Sequence, residues 1–484
     1  MPGPSDEAKR NEFRGWLREA KRRGIEAITA DVWWGLVQPG TPDQFDWTYY
    51  DWLFGAIAEE GLAIVPILST HQCGTNVGDT VFVPLPRFIQ EKMRGGGGIP
   101  DLRYLSEVGQ YSEEVVSAWG TPYVIDDYAR FFAAFAAHFG PHFGHRIEYL
   151  TASVGPASEL TFPAYHYHDR AIGYPPALYP RRGSMQMGSE LAQAGFRAWL
   201  ERKYSTIEAL DAAWGFPGKH QAWQQIDVFT NRVDSDRFFE WNDQFSRRGT
   251  DAFTYYHEVL TGHAVTVLGR MAEVFGRNPD FRGKPISFKI PGIHWSFHSK
   301  LPQLTAGLLT TAGADEAWHP PLPNRRPASW SAENGHGYQS LFAKTVGELR
   351  RTHPGTRWIV EFTCGEMPSC AQGCHGHGAC GCGHPQISGA EELVRAIHLV
   401  AREFNVPVVL ENALAENLYD PTALERLRRH IVDLRHFAGV SLLRLQDVVK
   451  SEHVERFLRS LGAPSGEGNL SCSRRIAMLK SPWF

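Results

Sequence analysis

The chain has 484 residues, 43% of them hydrophobic and 12% aromatic, with a formal net charge of −4. That charge gives no electrostatic reason to expect nucleic acid or an anionic membrane as partner, and no apolar run is long enough to span a bilayer. The apolar content supports a large packed core, and fifteen Trp and sixteen Tyr exceed that need; such a surplus suits clefts that pack ring faces on sugars.

The opening segment, MPGPSDEAKRNEFRGWLREAKRRG, lacks the apolar core of a secretory signal. Phe13, Trp16, Leu17 and Ala20 recur at helical spacing, so the chain opens on an amphipathic helix. On these grounds it reads as cytoplasmic as it stands, and as secreted if the true N-terminus is longer. Ile25 to Val32 reads as a buried strand ending in DVWWG, Asp31 to Gly35. A helix from about Tyr49 to Glu60 leads to a second strand, Leu62 to Ser69, and a polar loop over residues 70–86.

A helix near Asp126 to Phe139 precedes a short apolar segment, Ile147 to Leu150, and then SVGPASELTFPAY, Ser153 to Tyr165. Gly and Pro there favour a stiff, shaped loop. Its single carboxylate, Glu159, stands among apolar neighbours, where desolvation would raise its pKa and suit it to give a proton. A solvated surface acid is the plainer reading of such a residue taken alone.

A long excursion from Gly155 to about Lys284 holds helices between Asp236 and Phe275. Strands follow at Ile286 to Ile290, Trp358 to Thr363, Val406 to Leu410 and Val440 to Asp447. Between and after them, helices are expected near Gln339 to Arg351, Ala390 to Phe404, Thr422 to Phe437 and Ser451 to Leu461. Alternating strands and helices argue for a parallel sheet, and the strands read as continuous apolar runs, as when both faces are covered. Polar groups follow the strands at Asp31, His71, Glu159, Lys289 with His294, Thr363, Glu411 and Arg444. Strand ends that converge on one face are the mark of a (β/α)8 TIM barrel. The expected fold is therefore one α/β barrel domain over 1–484 with long βα loops, the excursion at 155–284 and a Cys/His-rich loop at 364–384.

Seven strands are counted where eight are needed, and the first is missing from its usual place. RRIAMLKSP, Arg474 to Pro482, is the candidate to close the barrel as a permuted first strand, against the disordered tail that a terminus usually forms. The seven cysteines are odd in number and do not resemble a secreted disulfide framework. Cys370, Cys374, Cys380 and Cys382, with His375, His377 and His384, are soft ligands in sufficient number for a structural Zn²⁺. Their C-x3-C and C-x-C spacings are not the usual knuckle pair, and a loop with free thiols is the alternative.

At THQCGTNVGD, KIPGIHW, EFTCGEM, LENAL and FAGVSLLRLQD the chain resembles the β-amylases, glycoside hydrolase family 14, its bacterial members most, from the first helix to about residue 461. The resemblance implies hydrolysis of α-1,4-glucosidic bonds of starch-type glucan from the non-reducing end, releasing maltose with inversion and requiring no cofactor. The family's acid motif reads GPASE here and implies Glu159 as general acid; ENAL implies Glu411 as general base. Inverting glycosidases set such a pair ~6.5–9.5 Å apart to admit a water. Gly74 to Val81 matches the family's lid, which would bring Asp79 to sugar hydroxyls. Asp31 and His71 correspond to groups that bind the terminal glucose, and Lys289 and His294 to contacts beyond the cleavage point; a structural salt bridge competes for Lys289.

Thr363 matches the inner-loop Thr that supports the departing sugar, and Asn412 suggests an amide for a sugar hydroxyl or the nucleophilic water, with Ala413 beside it in the substrate-binding set. Arg444 matches a strand-end Arg near the base, or an ion-pair anchor for Glu411. Ser158 replaces the usual Gly of the acid motif, Thr161 a usual Arg, and Leu410 a small or polar residue before the base. Gln38 stands at the carboxylate position of the calcium site of some bacterial members, so calcium is not expected, and no starch-binding domain follows. A monomer is favoured. The competing readings are a non-catalytic maltodextrin-binding or sensing protein on the same fold, and an enzyme inactivated by the missing strand.

Overall fold

The computed structural model describes residues 6–74, 81–165, 182–295, 300–311, 337–370, 388–434, 437–461 and 474–479. Eight parallel strands form a closed barrel: β1 Ala27–Trp33, β2 Ala63–Ser69, β3 Leu150–Ala152, β4 Ile286–Ile290, β5 Trp358–Phe362, β6 Val408–Glu411, β7 Phe437–Leu443 and β8 Arg474–Leu479. Each of β2 to β7 pairs with its sequence neighbours in that series, and β1 pairs with β2. The last strand closes the ring. It pairs with β1 from Ala27↔Ile476 to Ala30↔Leu479, and with β7 from Gly439↔Arg474 to Leu443↔Met478.

The helices wrap this ring for reasons written in their sequences. In α1 (Glu7–Arg22) the Asp6 side chain accepts from Lys9 N and caps the first turn, while Phe13, Leu17 and Ala20 make the buried stripe. Helices α2 (Thr48–Glu59) and α3 (Thr121–Phe143) bring an aromatic layer, in which Phe54, Phe135 and Phe139 pack with ring centroids 4.8–6.3 Å apart. The excursion after β3 includes α4 (Arg232–Glu240) and the 31-residue α5 (Arg247–Arg277), which lies against α3. Three more helices, α6 (Ala390–Glu403), α7 (Pro421–Leu434) and α8 (Glu452–Ser460), complete the outer layer on the far side.

Several boundaries differ from expectation: the helix expected to reach Phe437 ends at Leu434, and Phe437 opens β7 instead of Val440. The strand expected to run to Asp447 stops at Leu443, because Arg444 adopts a left-handed φ of 66° and a short helix starts at Leu445. A side chain carrying a Cβ in that region cannot continue an extended strand.

The barrel interior is polar in its upper layers. Alternate residues of a strand point to the same side. Ala27, Val65, Tyr149 and Val409 form a small apolar cluster of their own inside the ring. Two residues further along the same strands stand Thr29, Ile67, Thr151 and Glu411, and β4 and β5 contribute Ser287, Lys289 and Glu361. All seven are at most 4% exposed. The sheet therefore delivers polar and charged groups to the mouth through a sealed apolar floor.

Candidate active site

Glu411 is the last residue of β6 and is 4% exposed. Lys289 Nζ, from β4, donates to Glu411 Oε2 at 2.7 Å and lies 3.9 Å from Glu361 Oε2. Burial works against the ammonium, but the charges of Glu411 and Glu361, with Asp31 adding to them, hold its pKa above the ordinary lysine value. Glu361 is fully buried in β5; Thr151 and Ser287 donate their hydroxyls to its Oε1 at 2.7 and 2.6 Å, and its Oε2 accepts no hydrogen bond among the described residues. Burial pushes the Glu361 carboxyl above the usual range; Lys289 pulls it down and the Glu411 charge pushes it up again. One cation thus serves two buried carboxylates, and burial favours a proton on Glu361.

The loop after the base is held by a fourth acid. Glu366 is 1% exposed, and its carboxylate accepts from the backbone N of Ala413 and Leu414 and from Asn417 Nδ2, all within 2.9–3.0 Å. Asn412 is fully buried and turns its amide onto backbone: Oδ1 accepts from Leu443 N at 2.7 Å and Nδ2 donates to Leu414 O at 2.9 Å. Both side chains fix the direction in which Glu411 leaves the strand.

The acid loop is equally shaped. Ala157 and Ser158 both have left-handed backbone, φ 52° and 70°. Ala157 N donates to Glu114 Oε1 at 2.8 Å, and Glu159 N to Pro156 O at 2.9 Å. Beyond the turn, Glu159 bridges Lys289 as a parallel neighbour and Leu160 N donates to Lys289 O at 2.8 Å. Lys289 is therefore common to both carboxylates: its backbone registers the Glu159 loop, and its side chain holds Glu411. Glu159 itself is half-buried. Thr161, buried, directs its hydroxyl to Phe162 O and Ala306 O.

The remaining residues named from the sequence fall on the rim. Asp31 Oδ1 accepts from Ser69 Oγ at 2.7 Å. His71 Nδ1 shares a hydrogen bond of 2.9 Å with Ser153 Oγ, and its ring meets the edge of Trp33 at 5.0 Å. Across the mouth, His294 Nδ1 is 2.8 Å from Ser388 Oγ, and burial pushes this imidazole down to about 4, so it stays neutral at ordinary pH. Thr363 Oγ1 accepts from Gly292 N at 2.6 Å. A Cβ at Gly292 would lie 2.5 Å from Cys364 Cβ and Sγ, so only glycine lets that loop approach Thr363. Arg444 stands half-buried at the end of β7.

Asp79 and most of the lid lie outside the described residues, as do Cys374, Cys380 and Cys382 and the side chain of Cys370. Among the described residues no group of His, Cys, Asp or Glu side chains is arranged to hold a metal, and no helix is long and apolar enough to cross a membrane. Reading the sequence missed Glu361 and Glu366. A glutamate inside the apolar run WIVEF was the available signal for the first, and the carboxylate of EFTCGEM for the second.

A family model described as glycosyl hydrolase family 14 matches residues 7–457. The chain is 30% identical to a beta-amylase of Niallia circulans over 91% of this chain and 65% of that protein. It is 35% identical to a beta/alpha-amylase of Paenibacillus polymyxa over 94% of this chain and 32% of that protein. A thermophilic beta-amylase of Thermoanaerobacterium thermosulfurigenes matches at 34% identity over 60% of this chain and 49% of that protein. The chain thus spans less than two thirds of each of these relatives. Among solved structures, the catalytic domain of the Paenibacillus polymyxa beta-amylase superposes with a TM-score of 0.73 at 26% identity, covering 94% of this chain and 95% of that one.

Proposed function

The chain belongs to glycosyl hydrolase family 14, and from that premise we propose that it hydrolyses α-1,4-glucan from the non-reducing end, releasing maltose with inversion, with Glu159 as general acid and Glu411 as general base. The observation that carries this reading is the common tie of both carboxylates to Lys289, by backbone on the Glu159 side and by a 2.7 Å ion pair on the Glu411 side. Glu159 gives its proton to the departing glycosidic oxygen. Glu411, paired with Lys289, takes a proton from water attacking the opposite face of the ring, as inversion requires.

Around that pair the other groups take binding roles. Asp31 and His71 hold the terminal glucose, Asp79 reaches it from the lid, and His294, Thr363, Ala413 and Arg444 contact the glucan beyond it. Lys289 adds a sugar contact to its ion pair. Asn412 acts through the loop it braces. Protonation and water activation by these side chains need no organic cofactor. We also propose that zinc, if bound, is held by Cys370, Cys374, Cys380 and Cys382 as a rim support with no part in the reaction. A purely maltodextrin-binding role finds no support in the relatives.

The test is reducing-sugar release from soluble starch by the wild type and by Glu411→Gln, with the anomer of the product read by NMR. The wild type is expected to release β-maltose, and the variant to lose about 10²–10⁴-fold in rate, the share of a general base. A wild type that binds maltose and releases none would overturn the proposal, as would an α product.

A further inference from the structure

The excursion after β3 carries a second concavity that the barrel reaction leaves unused. Between α4 and residues 227–230 lies a cavity of 240 Å³, with Val228, Phe229 and Phe238 buried beneath it, Trp241 on its wall, and Asp227 and Arg237 at its rim. Trp241 is 75% exposed, more than any other large hydrophobic side chain among the described residues. A lone exposed indole needs no explanation. Here it borders a built pocket.

Three further observations give the pocket a purpose. The Arg237 guanidinium and the Asp227 carboxylate have no ion pair or hydrogen bond among the described residues, so both are available to a ligand. Phe229 holds a left-handed φ of 57° although it is a bulky residue, and its ring packs on Phe238 and Phe239 at 4.9 and 6.0 Å. Backbone strain of that kind persists only where the surroundings over-determine it, so the floor is rigid. Finally, α4 is tied to the rim of the barrel site. Arg182 donates to Asp236 at 2.5 Å and to Glu107 at 2.6 Å, with its guanidinium 4.5 Å over Phe239. The adjoining Gly183 N donates to Thr305 Oγ1, which lies 3.4 Å from Tyr165 Oη in the acid loop.

The chemistry of the pocket selects its ligand. Two guanidiniums and three carboxylates line it, so their charges nearly cancel and neither a polyanion nor a polycation is favoured. An exposed indole face beside an Arg fork and a carboxylate offers an apolar platform and paired donors and acceptors. A neutral sugar ring presents the matching surfaces, with C–H groups on its face and vicinal hydroxyls at its edge. We propose that this pocket is a second α-glucan site, with Trp241 as platform and Arg237 and Asp227 as hydroxyl partners, anchoring long chains beside the catalytic mouth. The inference rests on the glucan-hydrolase reading for the identity of its ligand.

The experiment uses the full chain and glycogen as probe. Retardation in glycogen-containing native gels is compared for Glu411→Gln and for Glu411→Gln with Trp241→Ala, and KM is measured for the otherwise wild-type Trp241→Ala on soluble starch and on maltopentaose. The Trp241 change is expected to weaken retardation and raise KM on starch by roughly three- to tenfold, the range one aromatic contact supplies. Both kinetic constants on maltopentaose should stay unchanged, which also reports an intact fold at this exposed position. Arg237→Ala should act in the same direction. Unchanged retardation together with unchanged starch KM would overturn the second site. A wild type inactive on maltopentaose would instead defeat the hydrolase reading, and the gel comparison would still decide whether Trp241 binds glucan.

Discussion

Replacing Lys289 by Met removes the cation from Glu411 while nearly keeping the side-chain volume. The pair is 2.7 Å apart with each partner 5% exposed, so its Coulomb attraction is about 6 kcal/mol at an effective dielectric of ~20. Stripping one partner from a buried pair typically costs ~3–5 kcal/mol, because the survivor is left charged and desolvated. A carboxylate escapes that cost by taking a proton, and each pH unit is worth ~1.36 kcal/mol. The acid limb of the kcat/KM profile should therefore move up by roughly 2–4 units in Lys289→Met. The sign for the wild type is consistent. A lysine whose folded pKa is raised keeps its stabilising contribution below the unfolded value, ~10.4, and loses it only as pH rises through the higher folded one. The lysine thus stays charged across any practical assay range. Profiles from pH 3.5 to 8.5 on a maltooligosaccharide would show the shift. A Lys289→Met limb within about half a unit of wild type would refute the reasoning. A change in KM alone would mean that the lysine serves sugar binding and leaves the base untouched.

Holding φ at 70° costs Ser158 about 1–2 kcal/mol, and its buried hydroxyl has no hydrogen-bond partner among the described residues; Ser158→Gly should therefore raise the urea midpoint by the equivalent of about 1 kcal/mol after the extra chain entropy of glycine, ~0.5–1 kcal/mol. A lower midpoint would show that the hydroxyl or the Cβ supports the loop. Glu366→Gln replaces one acceptor oxygen by an amide facing Ala413 N, Leu414 N and Asn417 Nδ2, and should cost about 1–3 kcal/mol. Because the disturbed loop follows Glu411, kcat should fall more than KM rises, and equal kcat in the variant would separate the loop from the chemistry.

The barrel was legible because each strand ended in a polar group, and the strand-end residues from Asp31 to Glu411 do lie at one mouth. What stayed hidden was the inside of the barrel. The strands read as continuously apolar, yet Thr29 and Asp31, Ser287 and Lys289, and Glu361 and Thr363 alternate with hydrophobic residues in register with the pleat. A period-two reading of those short runs places Glu361 inside, under the base. Glu366 could not be found that way. Its role comes from donors 47 to 51 positions later, a separation that no local pattern encodes. Asn412 shows the opposite limit: an amide beside a catalytic acid looks like a ligand to substrate, and the buried backbone groups of β7 and its own loop claim it first.

The closing strand allows the architecture itself to be tested. β8 contributes four registered pairs with β1 and five with β7. Truncation before Arg474 would leave two parallel strands with open edges in a barrel that otherwise has none. At a net ~0.5–1.5 kcal/mol per hydrogen bond, losing most of those contacts costs about 5–10 kcal/mol, which is comparable with the whole stability of a typical domain, ~5–15 kcal/mol. The shortened chain should therefore be recovered misfolded. The barrel interior makes this worse than an ordinary frayed edge, because Asp31 on β1 and Ser441 on β7 flank the gap and would be hydrated. A synthetic peptide covering residues 462–484, added during refolding, should restore both the native circular dichroism and starch hydrolysis. If the truncated chain folded and cleaved starch alone, β8 would be an accessory strand, and the ring would have to close directly between β1 and β7.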